Sequence, residues 1–236
     1  MSVKVVISGP RGKMGSKVYH RLKNMENVKV VGLLDYTANN DKAEKVYYKG
    51  EECFSEVQAD VLIDFTNPEV SEPLIKSALN HGVKVISGTT GFHRKQLKEF
   101  EVLANQLSVG CVIAPNFALG AVFMMIFSQY AAKYFEHINI IEKHHEQKVD
   151  RPSGTAATIK QLIKENTSNT EPEVFSVRSV GYIAHHEVVF GGPGQILSIK
   201  HDSFNRQSFL EGLLFALREI KEINEYTFGL ENVLRL

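Results

Sequence analysis

Residues 3–15, VKVVISGPRGKMG, run from an apolar strand into Gly9, Gly12 and Gly15, and the reading of that turn decides the fold. Ser16 to Met25 then has the pattern of a helix. Glycines let the chain turn tightly and let backbone N–H groups approach a pyrophosphate at the helix N-terminus. The spacing is GxxGxxG rather than GxGxxG, and a glycine pattern alone also describes a plain tight turn. Its context is what a dinucleotide needs: a strand before, a helix after, and a second strand, Val28–Leu34, ending at Asp35, twenty residues past Gly15. An acid there accepts hydrogen bonds from ribose hydroxyls.

Outward from this unit the βα rhythm repeats. Ala59–Phe65 is a nearly continuous apolar strand, as expected where both sheet faces are covered, and Glu69 to Asn80 follows as a helix. Gly82–Ser87 closes at Gly88-Thr89-Thr90-Gly91 before a helix from about Arg94 to Asn105; Val109–Ile113 closes at Ala114-Pro115-Asn116-Phe117. Alternating strands and helices imply a Rossmann-like, doubly wound parallel sheet of the α/β class, whose ligands sit outside the carboxyl ends of the strands. The loops at Thr66–Pro68, Gly88–Gly91 and Ala114–Phe117 fall at those ends.

From Ala118 the pattern changes. Ala118 to Tyr134 is apolar nearly all round and is expected to be a buried helix, with Phe123, Met124, Met125 and Phe127 as core. His137–Lys143, Val174–Arg178, Gly181–Phe190 and Gln195–His201 then alternate as strands with few helices between, the last two joined by a glycine-rich turn at 191–194. This half predicts an α+β domain with a mostly antiparallel sheet. Phe209 to Glu222 is amphipathic and is expected to return to the first domain, giving domains of 1–117 with 209–236, and 118–208.

The densest chemistry lies at 142–156, EKHHEQKVDRPSGTA. Neighbouring side chains on a strand point to opposite faces, so His144 and His145 serve one pocket only if the strand ends there. Pro152 disfavours helix at Arg151, and Ser153 is a good N-cap for a helix beginning at Gly154-Thr155-Ala156. First-turn N–H groups, the positive end of the helix dipole and the Lys148 cation together suit a carboxylate or phosphate beside an imidazole. A polar strand edge followed by an ordinary helix start is the plainer alternative.

Bulk properties exclude several classes. Twenty-seven basic residues balance 27 acidic ones over 236 residues, so no basic face for nucleic acid or an anionic membrane is advertised. No apolar run approaches the roughly 20 residues that span a bilayer. No signal-peptide pattern opens the chain, and a cytoplasmic protein is expected. Cys53 and Cys111 lack a CxxC partner, so no disulfide or metal site is expected.

Assembled, these residues resemble the 4-hydroxy-tetrahydrodipicolinate reductase (dihydrodipicolinate reductase) family of bacterial lysine biosynthesis. The resemblance runs nearly the full chain: Gly9 to Gly15 as GxxGxMG, Asp64-Phe65-Thr66, Gly88 to Gly91, Ala114 to Phe117, Ser176-Val177-Arg178 and Glu142 to Ala156, within which HHxxKxDxPSGTA at 144–156 is the most specific. It implies a first domain that would bind NADH or NADPH through Gly9, Pro10, Arg11, Gly12, Lys13, Met14, Asp35, Thr66, Gly88, Thr89, Thr90, Ala114, Pro115, Asn116 and Phe117. The second would bind a cyclic dicarboxylate, with His144 as acid/base, Lys148 as proton donor, and His145, Ser153, Gly154 and Thr155 at a carboxylate. It also implies a homotetramer formed through the second domain. Lys13 stands where the family commonly has arginine, and Tyr36 where some members place an arginine for the NADP phosphate. Asp35 favours NADH, whereas Arg11, Lys13 and Lys42 suit a phosphate, so both cofactors stand. His185, His186 and His201 read as structural or tetramer-edge residues, with a place in the substrate site as the alternative for one of them. The rivals are a reductase of another small acid, which would need a cysteine nucleophile that neither Cys53 nor Cys111 supplies, and a sensor that binds without turnover, which has no use for a proton donor.

Overall fold

The computed structural model describes residues 2–35, 46–167 and 171–235, so Tyr36 and Lys42 lie outside the described residues. The chain divides into two compact units, 1–117 with 209–236, and 118–208.

The first unit opens with β1 (Val3–Ser8), α1 (Gly15–Lys23) and β2 (Val28–Leu34). It continues with β3 (Val46–Tyr47), α2 (Gly50–Glu56), β4 (Val61–Asp64), α3 (Pro68–Asn80), β5 (Lys84–Ser87), α4 (Arg94–Leu107) and β6 (Cys111–Ile113). Every residue of β4 and β6 is buried, as unbroken apolar strands covered on both faces must be. Local chemistry sets the helix starts. The Asn67 side chain accepts the Val70 N–H at 3.1 Å, and Pro68 takes the first position of α3, where a missing N–H costs nothing.

The second unit holds α5 (Leu119–Ala131), β7 (His137–His144), α6 (Gly154–Glu165), β8 (Glu173–Arg178), β9 (Ala184–Gly192) and β10 (Gln195–Ser203). Its sheet has the order β10-β9-β7-β8. β9 runs antiparallel to both neighbours, while β7 and β8 are parallel, because α6 forms the crossover between them. β9 and β10 extend through Gly192 and from Gln195, so a two-residue turn joins them. Alternation along β7 sends Ile138, Ile140, Glu142 and His144 to one face, all buried. α5 packs on β9 and β10, and α6 packs on β7 and on α5. Because α5 lies on one sheet face, it is not buried all round as expected. Met124 and Met125 are core, but Phe127 is 53% and Tyr130 66% exposed.

The chain then returns to the first unit as α7 (Leu210–Glu219), β11 (Tyr226–Phe228) and α8 (Leu230–Leu234). The parallel sheet thereby reaches seven strands, ordered β11-β6-β5-β4-β1-β2-β3. Lys84 Nζ secures the return by donating to the carbonyls of Ile220, Lys221 and Ile223 at 3.0, 2.7 and 2.7 Å. Strand order reverses direction at β1 and β4, the switch point at which such sheets hold ligands. No helix among the described residues is long and apolar enough to cross a membrane.

Candidate active site

In the second unit the chemistry gathers where β7 ends. The strand stops at His144, and a turn closed by Lys148 N–H donating to the His145 carbonyl at 3.1 Å carries the chain away. The two histidines therefore part. His144 is buried on the covered face, and His145 is half-buried in the turn. His144 Nδ1 is hydrogen-bonded to Oε2 of Glu142, two residues back on the same face. Arg178, opposite His144 on β8, grips both Glu142 oxygens at 2.9 and 2.7 Å. Burial pushes the Glu142 carboxyl up, but hydrogen bonds from Arg178, Ser176 and His144 outweigh it and hold it at about 2. Burial lowers His144, and the Glu142 hydrogen bond opposes that shift without cancelling it.

His186, on β9 opposite Glu142, packs its ring edge-on against His144 with centroids 5.1 Å apart. Its Nε2 shares a 3.1 Å hydrogen bond with Ser153 Oγ, which also accepts the Ala156 N–H at 3.3 Å as the N-cap of α6. Burial first, then the neighbouring His144 charge, brings His186 down to about 3, so the ring is neutral. Lys148 Nζ lies 2.9 Å from Asp150 Oδ1. That bond is the main reason the Asp150 carboxyl is held low, and the Gly154 N–H adds to it. Gly154 has open space where a Cβ would stand, and Thr155 is half-buried beside it. An imidazole, an ammonium already paired with a carboxylate, and a helix N-terminus thus share one corner of this unit.

In the first unit, Gly9, Pro10, Arg11, Gly12, Lys13 and Met14 form the turn after β1, and Asp35 ends β2. Thr66 follows β4; Gly88, Thr89 and Thr90 follow β5; and Ala114, Pro115, Asn116 and Phe117 follow β6. All stand outside the carboxyl ends of the strands. The turn admits only glycine where it is tightest: a Cβ on Gly15 would lie 2.0 Å from the Gly9 carbonyl oxygen, and Gly9 has φ +73°. α1 begins with no side-chain cap and no acid in its first turn, which suits a pyrophosphate. Asp35 is buried and paired with Arg11 Nε at 3.1 Å. Beneath the loops, Asp64 accepts from Ser71, Ser87 and Thr89 hydroxyls at 2.5, 2.8 and 2.7 Å through one oxygen and from Thr66 at 2.7 Å through the other. The residues present fit a dinucleotide.

The comparisons with known proteins bear on both units. The family model described as "Dihydrodipicolinate reductase, N-terminus" matches residues 3–117, and "Dihydrodipicolinate reductase, C-terminus" matches residues 120–234. The chain belongs to the dihydrodipicolinate reductase family. A 4-hydroxy-tetrahydrodipicolinate reductase of Bacillus licheniformis is 42% identical over 262 residues, covering 99% of this chain and 98% of that protein. One from Bacillus cereus is 38% identical, with 98% of each chain covered. Among solved structures, the dipicolinate-bound dihydrodipicolinate reductase from Paenisporosarcina sp. TG-14 superposes with a TM-score of 0.90 at 38% identity, covering 98% of this chain and 99% of that one.

Within the dihydrodipicolinate reductase frame, the sequence points to His144, His145, Lys148 and Ser153 to Thr155 but gives no role to Glu142 or Arg178 and does not mark His186 as the neighbour of His144. Glu142 and Arg178 are 36 residues apart, and only the parallel register of β7 with β8 joins them. The one available signal was their presence in two separate motifs of the family resemblance. Asp64 lies in such a motif too, but nothing local in the sequence marks it as the acceptor for four hydroxyls.

Proposed function

We propose that His144 and Lys148 deliver the proton in the reduction of 4-hydroxy-tetrahydrodipicolinate, with a substrate carboxylate seated at the start of α6. Membership of the dihydrodipicolinate reductase family makes the chain an NAD(P)H-dependent oxidoreductase of the diaminopimelate route to L-lysine. A single observation carries the assignment of roles. The Asp150 carboxylate already lies 2.9 Å from Lys148 Nζ, four residues before the first helical residue of α6, so this corner of the unit selects a carboxylate. A substrate carboxylate exchanging with Asp150 would meet the same cation and the same dipole end, with His145 and Thr155 at its sides and Ser153 fixing the turn. His144 and Lys148 then stand within one loop of a dianion. Negative charge favours their protonated forms and equips them to give up a proton as electron density moves onto the ring.

The bound nicotinamide supplies the hydride; the first unit holds and orients it. Gly9 to Met14 receive the pyrophosphate, Asp35 the ribose hydroxyls, and Thr66, Gly88 to Thr90 and Ala114 to Phe117 line the remainder of the strand ends. The Arg11–Asp35 pair carries cofactor choice: ribose hydroxyls compete for Asp35, and a 2′-phosphate competes for Arg11. We read 1–117 with 209–236 as the nucleotide-binding domain and 118–208 as the substrate-binding and tetramerisation domain. We take the protein to act in the cytoplasm, where buried thiols such as those of Cys53 and Cys111 stay reduced.

The test is loss of reduced-nicotinamide absorbance with NADH and NADPH separately, while a dihydrodipicolinate synthase generates substrate from pyruvate and aspartate semialdehyde. Oxidation that requires both the chain and the coupled substrate is expected. Nucleotide binding without oxidation would contradict the reading in favour of a sensor.

A further inference from the structure

Resting on the roles just proposed for His144 and Lys148, we infer that Glu142 and Arg178 are a positioning pair that fixes the His144 tautomer and ties it to the backbone carrying Lys148. An ionised carboxylate only accepts, at about four lone-pair sites. Glu142, fully buried, meets two donors from Arg178, one from Ser176 and one from His144. With its carboxyl at about 2, Glu142 is ionised at neutral pH, so His144 Nδ1 must carry the hydrogen it shares. His144 Nε2 is then the nitrogen left to exchange a proton with substrate.

Arg178 is the second half of the device. A guanidinium has five N–H donors in a rigid fork. Two of them hold Glu142, and the others reach the carbonyls of Lys148 at 3.2 Å, Asp150 at 2.7 Å and Val177 at 2.7 Å. All five are occupied, and the side chain is only 3% exposed. One planar group thus sets the distance between the carboxylate that orients the imidazole and the turn that carries the ammonium. A buried ion pair that merely stabilised the sheet would have no need of the two loop carbonyls, and a lysine here has neither the fork nor the donor count.

Two measurements test this. In wild-type protein labelled with 15N-histidine, with the His144 signal assigned by His144→Asn, the neutral ring is expected to be protonated at Nδ1 and bare at Nε2. The Nε2–H tautomer, or an average of the two, would overturn the inference without recourse to any variant at Glu142 or Arg178. In Arg178→Lys, the charge and the fold are expected to persist by circular dichroism and the NADH titration to be unchanged. Turnover should fall about 10- to 100-fold, the range for groups that orient a functional histidine from behind. The limb of the pH profile belonging to His144 should also move, since Glu142, Arg178, His186 and Lys148 are the charged or titratable groups that act on that ring. Wild-type turnover with an unmoved profile in Arg178→Lys would overturn it. If His144→Ala and Lys148→Ala also turned over normally, the assignment of roles would fail as well; if those two were inactive, the positioning pair alone would be wrong.

Discussion

His186 is 4% exposed, with its Nε2 on Ser153 and its ring against His144, and the opposite Glu142 carboxylate raises it less than burial lowers it. Burial holds it at about 3, whereas an unfolded histidine titrates near 6.5. Between those values the unfolded chain binds a proton that the folded chain refuses, so stability is full above about 6.5 and falls as pH drops toward 3. The slope from this one ring is about 1.4 kcal/mol per pH unit. Glu142 acts in the same direction, but only below its ordinary value of 4.5. His144 and His201, both lowered chiefly by burial, remain to act in the upper window. Urea unfolding of His186→Asn between about pH 5 and 6.5 should therefore show a shallower dependence than wild type by roughly that slope. An unchanged slope would mean that His186 is protonated in the fold. At this scale the sequence was legible where chemistry is local. Ser153 followed by Gly154 announces an N-cap, and the observed cap is Ser153 accepting from Ala156. His186 gives no such local signal, because its partner lies 33 residues away at the start of a helix that no local pattern links to β9.

Among elements, the loops after β4 and β5 are tied together by one carboxylate. Asp64 collects hydroxyls from Thr66, Ser71, Ser87 and Thr89, and Thr89 Oγ1 also accepts the Thr66 N–H at 3.0 Å. Asp64→Asn would turn a donor amide toward hydroxyl donors and leave at least one of them unsatisfied, at a cost of about 1–3 kcal/mol. A lowered urea midpoint together with weaker NADH binding is expected; an unchanged midpoint would show that the hydroxyls re-pair among themselves. Apolar runs followed by small polar turns made β1, β2, β4, β5 and β6 readable. β3 and β11, two and three residues long, were missed because pairing with β2 and β6 makes them strands, not their own sequence. α5 was misread in burial for a related reason. A composition apolar all round does not say which side a sheet will cover.

For the whole molecule, the second sheet leaves one face without a helix among the described residues. Register places Phe175, Val177, Ile141, Val189 and Ile196 on it, with Phe175 45% and Ile196 73% exposed. These apolar side chains stand among polar ones such as Lys143, Glu187 and Lys200, a mixture that suits an interface between copies, and we assign the proposed homotetramer to this face. Phe175→Asp with Ile196→Asp should reduce the sedimenting species below a tetramer, and a tetramer that survives both would move the interface elsewhere. Function is divided between the two units in this account. Nucleotide binding belongs to one and proton delivery to the other, so loss of the second should spare the first. The deciding measurement is the coupled turnover of His144→Ala and of Lys148→Ala beside an NADH titration of the same proteins. Turnover lower by about 10²- to 10⁴-fold in each, with NADH affinity close to wild type, is the predicted result. Normal turnover in both variants would contradict the placement of the chemistry at the end of β7.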